Sequence, residues 1–254
     1  MKLYSDWHCD VFGSGDTPLV FVHGWCCEGG QFGLLAKEFA KSHRIFCPDL
    51  PGHGRTPLGT FSPGFETYAD ALAGWIEGQR LDRPILIGHS MGGALALMTA
   101  TRVAVRSVIN LDGSLPAAPA TLAAQKVIRE WLDLPDFRSR LAEALRGGFF
   151  LPHERDARAE EIIRKMTAAP KAVLRFLPET IGSLDPSRIL ARIKAPVLYI
   201  GAQKPRYDAT TAKTLLPDVQ IERLPDAGHF LHVYAPAQVA ALARAFLSPT
   251  SKAN

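Results

Sequence analysis

Short apolar runs alternate with segments of helical periodicity along most of this chain. The runs cover residues 18–24, 44–50, 84–90, 105–114, 195–201 and 219–228, and the helical patterns include 28–43, 65–81 and 91–103. Strands that read as unbroken apolar runs are buried on both faces, and helical connections between them allow parallel pairing. The alternation therefore predicts an α/β fold with a mostly parallel central sheet flanked by helices.

The alternation stops after about residue 114. One helical pattern then follows another with no strand between them, and in the first of these Ala124, Val127, Trp131 and Leu134 share a face. The chain has 254 residues, of which 47% are hydrophobic, so it can form one large domain that carries an insertion. The expected division is an α/β core from residues 1–114 and 194–254 with an all-helical insertion at residues 115–193.

Charge and hydropathy narrow the classes of partner. The 29 Lys and Arg residues nearly balance 25 Asp and Glu residues, and the basic residues between Arg129 and Lys194 are interleaved with acids. No apolar stretch approaches the ~18 residues that a membrane span needs, and the first residues do not read as a signal peptide. We expect a small-molecule substrate and neither a nucleic-acid nor a membrane partner.

The cysteines Cys9, Cys26, Cys27 and Cys47 have no metal-ligand spacing. The adjacent Cys26 and Cys27 are poor disulfide partners, because a bridge between neighbours strains the backbone. Free thiols are typical of a reducing compartment. We therefore expect a cytoplasmic protein without a bound metal.

The segment Gly88-His89-Ser90-Met91-Gly92 matches the Gly-x-Ser-x-Gly pattern between a predicted strand and a predicted helix. In that context the serine lies on a sharp turn that raises its hydroxyl above the sheet, and the glycines let neighbouring elements approach closely. A glycine-rich turn with a helix-capping serine is the alternative. The strand and helix on either side favour a serine nucleophile.

With this motif the chain resembles the α/β-hydrolase superfamily over nearly its whole length. The segment "FVHGW" is similar to the family's His-Gly turn, and "DAGHFLHVYAP" is similar to the segment that carries the catalytic histidine. The resemblance implies an α/β-hydrolase fold, an oxyanion hole formed by the amides of Trp25 and Met91, His229 as the catalytic base, and no cofactor. It also implies that the helical insertion is a cap.

The remaining histidines have other expected roles. His232 follows His229 by three residues, but the match to Ala-Gly-His-Phe assigns the base to His229. We interpret His23 and His53 as structural hydrogen-bonding residues and His89 as packed beside the turn. A neutral imidazole can take the serine proton during attack, and a carboxylate behind it fixes its tautomer.

The carboxylate is harder to identify, because Lys204 stands where the family usually has an acid after the strand 195–201. Asp112, Asp208 and Asp226 are the candidates. Asp226 lies in a predicted turn, and Asp208 has the position of a helix cap. Asp112 follows the strand next to that of Ser90, so both side chains are expected at one crevice. We assign the acid to Asp112, with Asp208 as the alternative.

The leading functional hypothesis is a serine hydrolase that cleaves a carboxylic ester, thioester or lactone. A cofactor-free dioxygenase of a quinolone-like ring is one alternative. Dioxygenases of this kind also carry the acid after the strand that corresponds to residues 105–114, and they resemble the chain at "HGWC" and "GAQKPRYD". They favour histidines where this chain has Cys27 and Met91. A carbon–carbon bond hydrolase and a non-catalytic receptor are further alternatives. The insertion supplies the aromatic residues Trp131, Phe137, Phe149, Phe150 and Phe176. Most of them are expected in the core of the insertion, and a few are expected to line a mostly apolar pocket for an acyl or aromatic substrate.

Overall fold

The computed structural model describes residues 6–248 and contains a seven-stranded sheet. Its strands are β1 (Cys9–Phe12), β2 (Thr17–Val22), β3 (His43–Pro48), β4 (Ile85–His89), β5 (Ser107–Leu111), β6 (Val197–Gly201) and β7 (Gln220–Arg223). Across the sheet they follow the order β1-β3-β2-β4-β5-β6-β7, and every neighbouring pair except β1 with β3 is parallel. The predicted α/β fold with a mostly parallel sheet is confirmed.

Strand β1 was not predicted. It is a four-residue edge strand that pairs antiparallel with β3, with Cys9 opposite Pro48. Its side chains are only partly buried and Val11 is exposed. An edge strand of this kind gives no unbroken apolar run, so a search for buried parallel strands misses it.

The central strands are apolar without interruption because each of their faces contacts a separate core. On β2, Leu19 and Phe21 pack on one face of the sheet, whereas Val20 and Val22 pack on the other. The helices of the α/β core are α1 (Gly33–Phe39), α2 (Phe65–Gly78), α3 (Met91–Thr99), α9 (Ala209–Leu215), α10 (Leu231–Tyr234) and α11 (Pro236–Leu247). Helices α1 and α11 cover the first face, and α2 and α3 cover the second.

The segment between β5 and β6 is helical and contains no strand. Its helices are α4 (Pro119–Trp131), α5 (Phe137–Phe149), α6 (Ala157–Ala168), α7 (Lys171–Thr180) and α8 (Pro186–Leu190). The ring of Phe176 on α7 lies 5.7 Å from that of Phe65 and 5.3 Å from that of Tyr68, both on α2. We call this segment, residues 115–193, the helical insertion; its apolar side chains continue the core on the α2–α3 face.

The residues that share a face in the sequence pattern around α4 are not the ones that the helix buries. Val127 and Leu134 are 42% and 40% exposed, whereas Thr121, Gln125 and Ile128 are buried. The face of α4 that packs against α7 is the buried one, although it contains polar residues. The more apolar face of the helix remains exposed. Within residues 6–248, no helix is both long enough and apolar enough to cross a membrane.

Candidate active site

Ser90 lies on a strained turn between β4 and α3. Its backbone has a φ of 55° and a ψ of −121°, a conformation that is rare for a residue with a side chain. The amide of Ser90 donates to the carbonyl of Leu111 at 2.9 Å, and its own carbonyl accepts from the amide of Gly93 at 2.9 Å. The turn is therefore fixed to both the adjacent strand end and the helix that follows.

Two glycines of the motif are required by close backbone contacts. A Cβ atom on Gly88 would lie 2.1 Å from the carbonyl oxygen of Gly92, and a Cβ atom on Gly92 would lie 2.1 Å from the carbonyl oxygen of Val22. Both distances are far below a van der Waals contact with backbone that cannot move. The Gly-x-Ser-x-Gly spacing is thus a packing requirement of this turn.

Two backbone amides near Ser90 are free. Met91 is the first residue of α3, and Trp25 lies in the turn after β2; neither amide donates a hydrogen bond to another part of residues 6–248. A Cβ atom on Gly24 would lie 3.2 Å from the Cβ of Ser90, so the turn that carries Trp25 passes directly beside the serine. Free amides at this position, one of them at a helix N-terminus, can donate hydrogen bonds to an oxygen atom on which negative charge develops.

His229 and Asp112 form a buried pair. The Nδ1 atom of His229 lies 2.7 Å from Oδ2 of Asp112, and the Asp112 side chain is fully buried. The other carboxylate oxygen of Asp112 accepts from the amides of Ala202 at 3.2 Å and Arg206 at 3.1 Å. A proton on Nδ1 that is donated to Asp112 leaves the Nε2 lone pair of His229 free to accept a proton.

Strand register places Asp112 beside Ser90. His89 and Leu111 are paired across β4 and β5, so Ser90 and Asp112 both follow directly on adjacent strand ends. The ring of His89 lies 4.6 Å from the ring of His229, and its Nε2 atom donates to the His229 carbonyl at 2.9 Å. The structure therefore brings the neighbourhoods of Ser90, Asp112 and His229 together at one edge of the sheet.

Burial controls the electrostatics of the pair. It lowers the pKa of the His229 imidazole well below its usual range, and the Arg206 guanidinium lowers that pKa further. Burial also raises the pKa of the Asp112 carboxyl to about 7, although the Arg206 guanidinium and the amides of Ala202 and Arg206 act in the opposite direction. A charged imidazole is thus disfavoured in the resting site, which keeps His229 a proton acceptor.

The loop after β6 supplies amides instead of an acid. Lys204 is exposed, while the flanking residues Ala202 and Arg206 hold the Asp112 carboxylate through their backbones. Asp208 caps α9 by accepting from the amide of Thr211 at 2.8 Å, the helix-capping role considered for it. Asp226 is exposed in a turn. Neither of these alternatives contacts His229.

The histidines His23, His53 and His232 are buried but do not contact Asp112. His23 donates from Nδ1 to the carbonyl of Gly24 and accepts at Nε2 from the amide of Leu50, both at 2.9 Å. His53 donates from Nδ1 to the carbonyl of Pro51 at 3.1 Å. His232 is fully buried, and its ring nitrogens have no hydrogen-bond partner among residues 6–248.

Sequence reasoning missed two residues that surround His229. The Arg206 guanidinium lies 4.6 Å from the centroid of the Phe149 ring, and that ring lies 4.4 Å from the ring of His229. Glu154, from the helical insertion, is 1% exposed and accepts at Oε1 from the amide of Gly228 at 2.8 Å. Glu154 lies in a strongly charged stretch, which normally indicates a solvent-exposed face, and the sequence around Arg206 has no motif that marks this residue.

Curated proteins of similar sequence include a lipase and an esterase. The chain is 28% identical to the sn-1-specific diacylglycerol lipase ABHD11 of Danio rerio, over 94% of this chain and 82% of the relative. It is also 28% identical to a pimeloyl-[acyl-carrier protein] methyl ester esterase of Aromatoleum aromaticum, over 88% of this chain and 95% of the relative. These relatives support an enzyme of the hydrolase class.

Solved structures share the fold. A bromoperoxidase from Bacillus anthracis superposes with a TM-score of 0.83 at 17% identity, covering 94% of each chain. A thermophilic esterase from Thermogutta terrifontis superposes with a TM-score of 0.79 at 23% identity, covering 95% of this chain and 92% of the esterase. The sequence model of the alpha/beta hydrolase family matches residues 19–242, and the chain therefore belongs to the alpha/beta hydrolase family.

Proposed function

We propose that the protein is a serine hydrolase that cleaves a carboxylic ester, thioester or lactone with Ser90 as nucleophile, His229 as base and Asp112 as acid. The observation that carries the proposal is the buried 2.7 Å contact between His229 and Asp112 beside the strained turn of Ser90. A serine, an imidazole and a carboxylate so arranged are the parts that acyl transfer requires. The esterase and lipase names of the relatives support the same reaction class.

In the proposed reaction, the hydroxyl of Ser90 attacks the substrate carbonyl while Nε2 of His229 takes its proton. The resulting tetrahedral oxyanion accepts hydrogen bonds from the amides of Trp25 and Met91. Collapse expels the leaving group with the proton from His229 and leaves an acyl group on Ser90. Water, deprotonated by the same imidazole, then cleaves this acyl-enzyme and restores the serine.

Asp112 has a passive role in this scheme. It holds the proton of His229 on Nδ1 and stabilises the imidazolium that forms during each half-reaction. The amides of Ala202 and Arg206 fix the carboxylate in turn, since both donate to its second oxygen. The triad acid is therefore proposed to follow β5, and the loop after β6 is proposed to orient it.

We further propose that the helical insertion acts as a cap over the site and limits the substrate to a small molecule with an apolar acyl or aromatic part. The indole Nε1 of Trp25 donates to the carbonyl of Val173 on α7 at 2.8 Å, which connects the insertion to the proposed oxyanion hole.

We also propose a cytoplasmic location. The described cysteines are free thiols, which is typical of proteins in a reducing compartment.

A cofactor-free dioxygenase is the second candidate. Enzymes of that class also carry their acid after the strand equivalent to β5, which is where Asp112 lies in this chain. Here Cys27 and Met91 replace the histidines of those enzymes. The side chain of Cys27 is 3% exposed, and that of Met91 is fully buried. They belong to the apolar core and offer no polar group to a heteroaromatic ring. Hydrolysis is therefore the better-supported function.

A paired assay tests both candidates. A fluorophosphonate should label the protein once, and Ser90→Ala should abolish the label and lower ester turnover by about a million-fold. p-Nitrophenyl esters and 3-hydroxy-4-quinolones are supplied separately while oxygen uptake is recorded. Oxygen consumption with a quinolone, without ester cleavage, would establish the dioxygenase instead.

A further inference from the structure

We call residues 226–236, which carry His229, the histidine segment. It is held by the helical insertion as well as by the core. The amide of His229 donates to the carbonyl of Phe149 at 2.8 Å, and the amide of Gly228 donates to Oε1 of Glu154 at 2.8 Å. Phe149 ends α5, and Glu154 lies in a short 3₁₀ helix between α5 and α6. Two consecutive backbone amides at the proposed base are thus bound by one stretch of the insertion.

Glu154 is unusual for an acid in a charged segment. It is only 1% exposed, and its second carboxylate oxygen accepts from the amide of Leu151 at 2.9 Å. A buried carboxylate is costly unless its oxygens are hydrogen-bonded, and here each oxygen has a backbone donor. The carboxylate therefore joins its own short helix to the histidine segment.

The contact with Gly228 has little tolerance. A Cβ atom at this position would lie 2.1 Å from Oε2 of Glu154 and 2.7 Å from the carbonyl oxygen of Phe149. The glycine in "DAGHF" is consequently required for the approach of the insertion, and only a backbone without a side chain can reach this carboxylate.

We propose that Glu154 is a positioning residue that sets the orientation of His229 by holding the Gly228 amide from the helical insertion. The inference rests on the proposed hydrolase function. A small displacement of a catalytic group can lower a rate on the order of 100-fold without touching the substrate. Glu154 acts in this way through the backbone next to the base, and it does not contact the substrate.

The test uses the full chain, p-nitrophenyl acetate and a fluorophosphonate. Glu154→Gln keeps the shape of the side chain but replaces one acceptor with a donor that faces an amide. We expect kcat and the labelling rate to fall on the order of 10- to 100-fold, with KM within about twofold. The downfield proton resonance of the His229–Asp112 hydrogen bond should also shift, which a loss of folded protein alone would not cause.

The matched control is Asp156→Asn, in the same stretch of the insertion. Asp156 accepts from the hydroxyl of Tyr234 at 2.7 Å, so it joins the insertion to α10 without touching the amide of Gly228. We expect this variant to keep kcat within about threefold of the wild type, because the backbone beside His229 is left intact. An equal loss in Asp156→Asn and Glu154→Gln would reduce the role of Glu154 to general docking and overturn the proposal.

Gly228→Ala tests the same contact from the other side and decides the matter if Glu154→Gln does not fold. It should slow labelling to a similar degree, because its Cβ displaces the Glu154 carboxylate. Wild-type rates in folded Glu154→Gln or Gly228→Ala would overturn the proposal. A wild-type protein that neither hydrolyses the ester nor takes the label would instead overturn the hydrolase function on which it rests.

Discussion

Ser90 and Asp112 are held differently from His229. The first two follow directly on the paired ends of β4 and β5, in positive-φ conformations that the adjacent backbone fixes. His229 lies in a loop after β7, and its segment makes hydrogen bonds with Phe149 and Glu154 of the helical insertion. The proposed nucleophile and acid thus depend on the sheet, whereas the proposed base depends on a segment inserted elsewhere in the chain.

This difference points to a role of the insertion beyond the proposed limit on substrate size. In the α/β core, neighbouring parallel strands bring their carboxyl ends to one edge whatever lies above them. Strand pairing does not fix the position of His229, which lies in a loop. A loop keeps one conformation only where its backbone groups are hydrogen-bonded. Substitutions at the points where the insertion contacts the segment of His229 should therefore lower the turnover of every substrate, whereas substitutions elsewhere in the insertion should not.

The largest effect is expected at the sheet edge, with Asp112→Asn. Asparagine tolerates the φ of 50° at this position, and its carbonyl oxygen can still accept from the loop after β6. Its amide group then faces Nδ1 of His229 and favours the wrong tautomer. Ester turnover should fall about 10⁴-fold with the melting temperature nearly unchanged, as measured by steady-state kinetics and calorimetry.

Asp208→Asn is the matched control for this prediction. Asparagine also caps helices well, so α9 should be retained and turnover should stay within about threefold of the wild type. If the large loss appears in Asp208→Asn and not in Asp112→Asn, the acid follows β6 and the sheet edge is not what fixes it.

The next largest effect is expected where the insertion meets the histidine segment. Phe150 is buried and stacks on Phe230, the residue after His229, with ring centroids 5.0 Å apart and planes 5° apart. Phe150→Ala should cost about 3–5 kcal/mol in the free energy of unfolding. Rates on acetate and octanoate esters should fall by the same factor, because the residue supports the base and does not line the pocket.

Phe137→Ala is the comparison variant within the insertion. Phe137 is also buried, but it makes no ring contact with the histidine segment among residues 6–248. Its loss should lower stability and leave turnover per folded molecule near that of the wild type. A change in chain-length preference in Phe150→Ala, with acetate unaffected, would show that Phe150 lines the acyl pocket after all.

A smaller effect is expected from His232, which is buried on the core side of the histidine segment. Its ring lies 4.3 Å from that of His89 and 4.6 Å from that of Phe32. Burial lowers the pKa of His232 well below 6.5, so below about pH 6.5 the unfolded chain binds a proton that the folded protein excludes. This contribution to stability is complete above that pH and is lost as the pH falls.

His232→Phe should accordingly weaken the acid sensitivity. The fall in unfolding free energy between pH 6.5 and 5.5 should be smaller than in the wild type by up to about 1 kcal/mol, as measured by urea unfolding. His153→Asn, at an exposed position of the insertion, should keep the wild-type dependence. A wild-type pH dependence in His232→Phe would mean that His232 is not kept neutral by burial.

The smallest effect is expected at the cysteines, which both regions leave inactive. Burial raises the pKa of Cys9 to about 12, and it also raises the pKa of Cys26, Cys27 and Cys47. Treatment with iodoacetamide at pH 8 should therefore leave ester turnover unchanged, with little alkylation found by mass spectrometry. Rapid loss of activity would place a reactive thiol at the site.

Much of the fold could be predicted because the signals are local. Mostly apolar runs predicted strands β2 to β6, and the last strand was expected at residues 219–228, where β7 lies. The end of the alternation after β5 marked the helical insertion. Two features of the fold do not follow from these local signals. Strand β1 lies at an edge, and α4 buries Gln125 and Ile128 instead of Val127, because packing against α7 decides which face is covered.

The candidate site divides in the same way. The turn around Ser90 and the segment around His229 could be found from short motifs, since each needs glycines at fixed offsets for close backbone contacts. The choice between Asp112 and Asp208 depended on strand order, which a motif does not contain. Glu154 could not be found at all, because nothing in a charged helical stretch indicates that one carboxylate will be buried.

Periodicity and local steric demands make three features predictable from the sequence: the alternation of strands and helices, the strained serine turn and the histidine segment. Only the packing of the folded chain shows which carboxylate meets His229 and that Glu154 lies against Gly228. Such contacts join residues that are far apart along the chain: 117 positions separate Asp112 from His229, and 74 separate Glu154 from Gly228. Their formation depends on how the sheet and the insertion pack together, which no single stretch of sequence encodes.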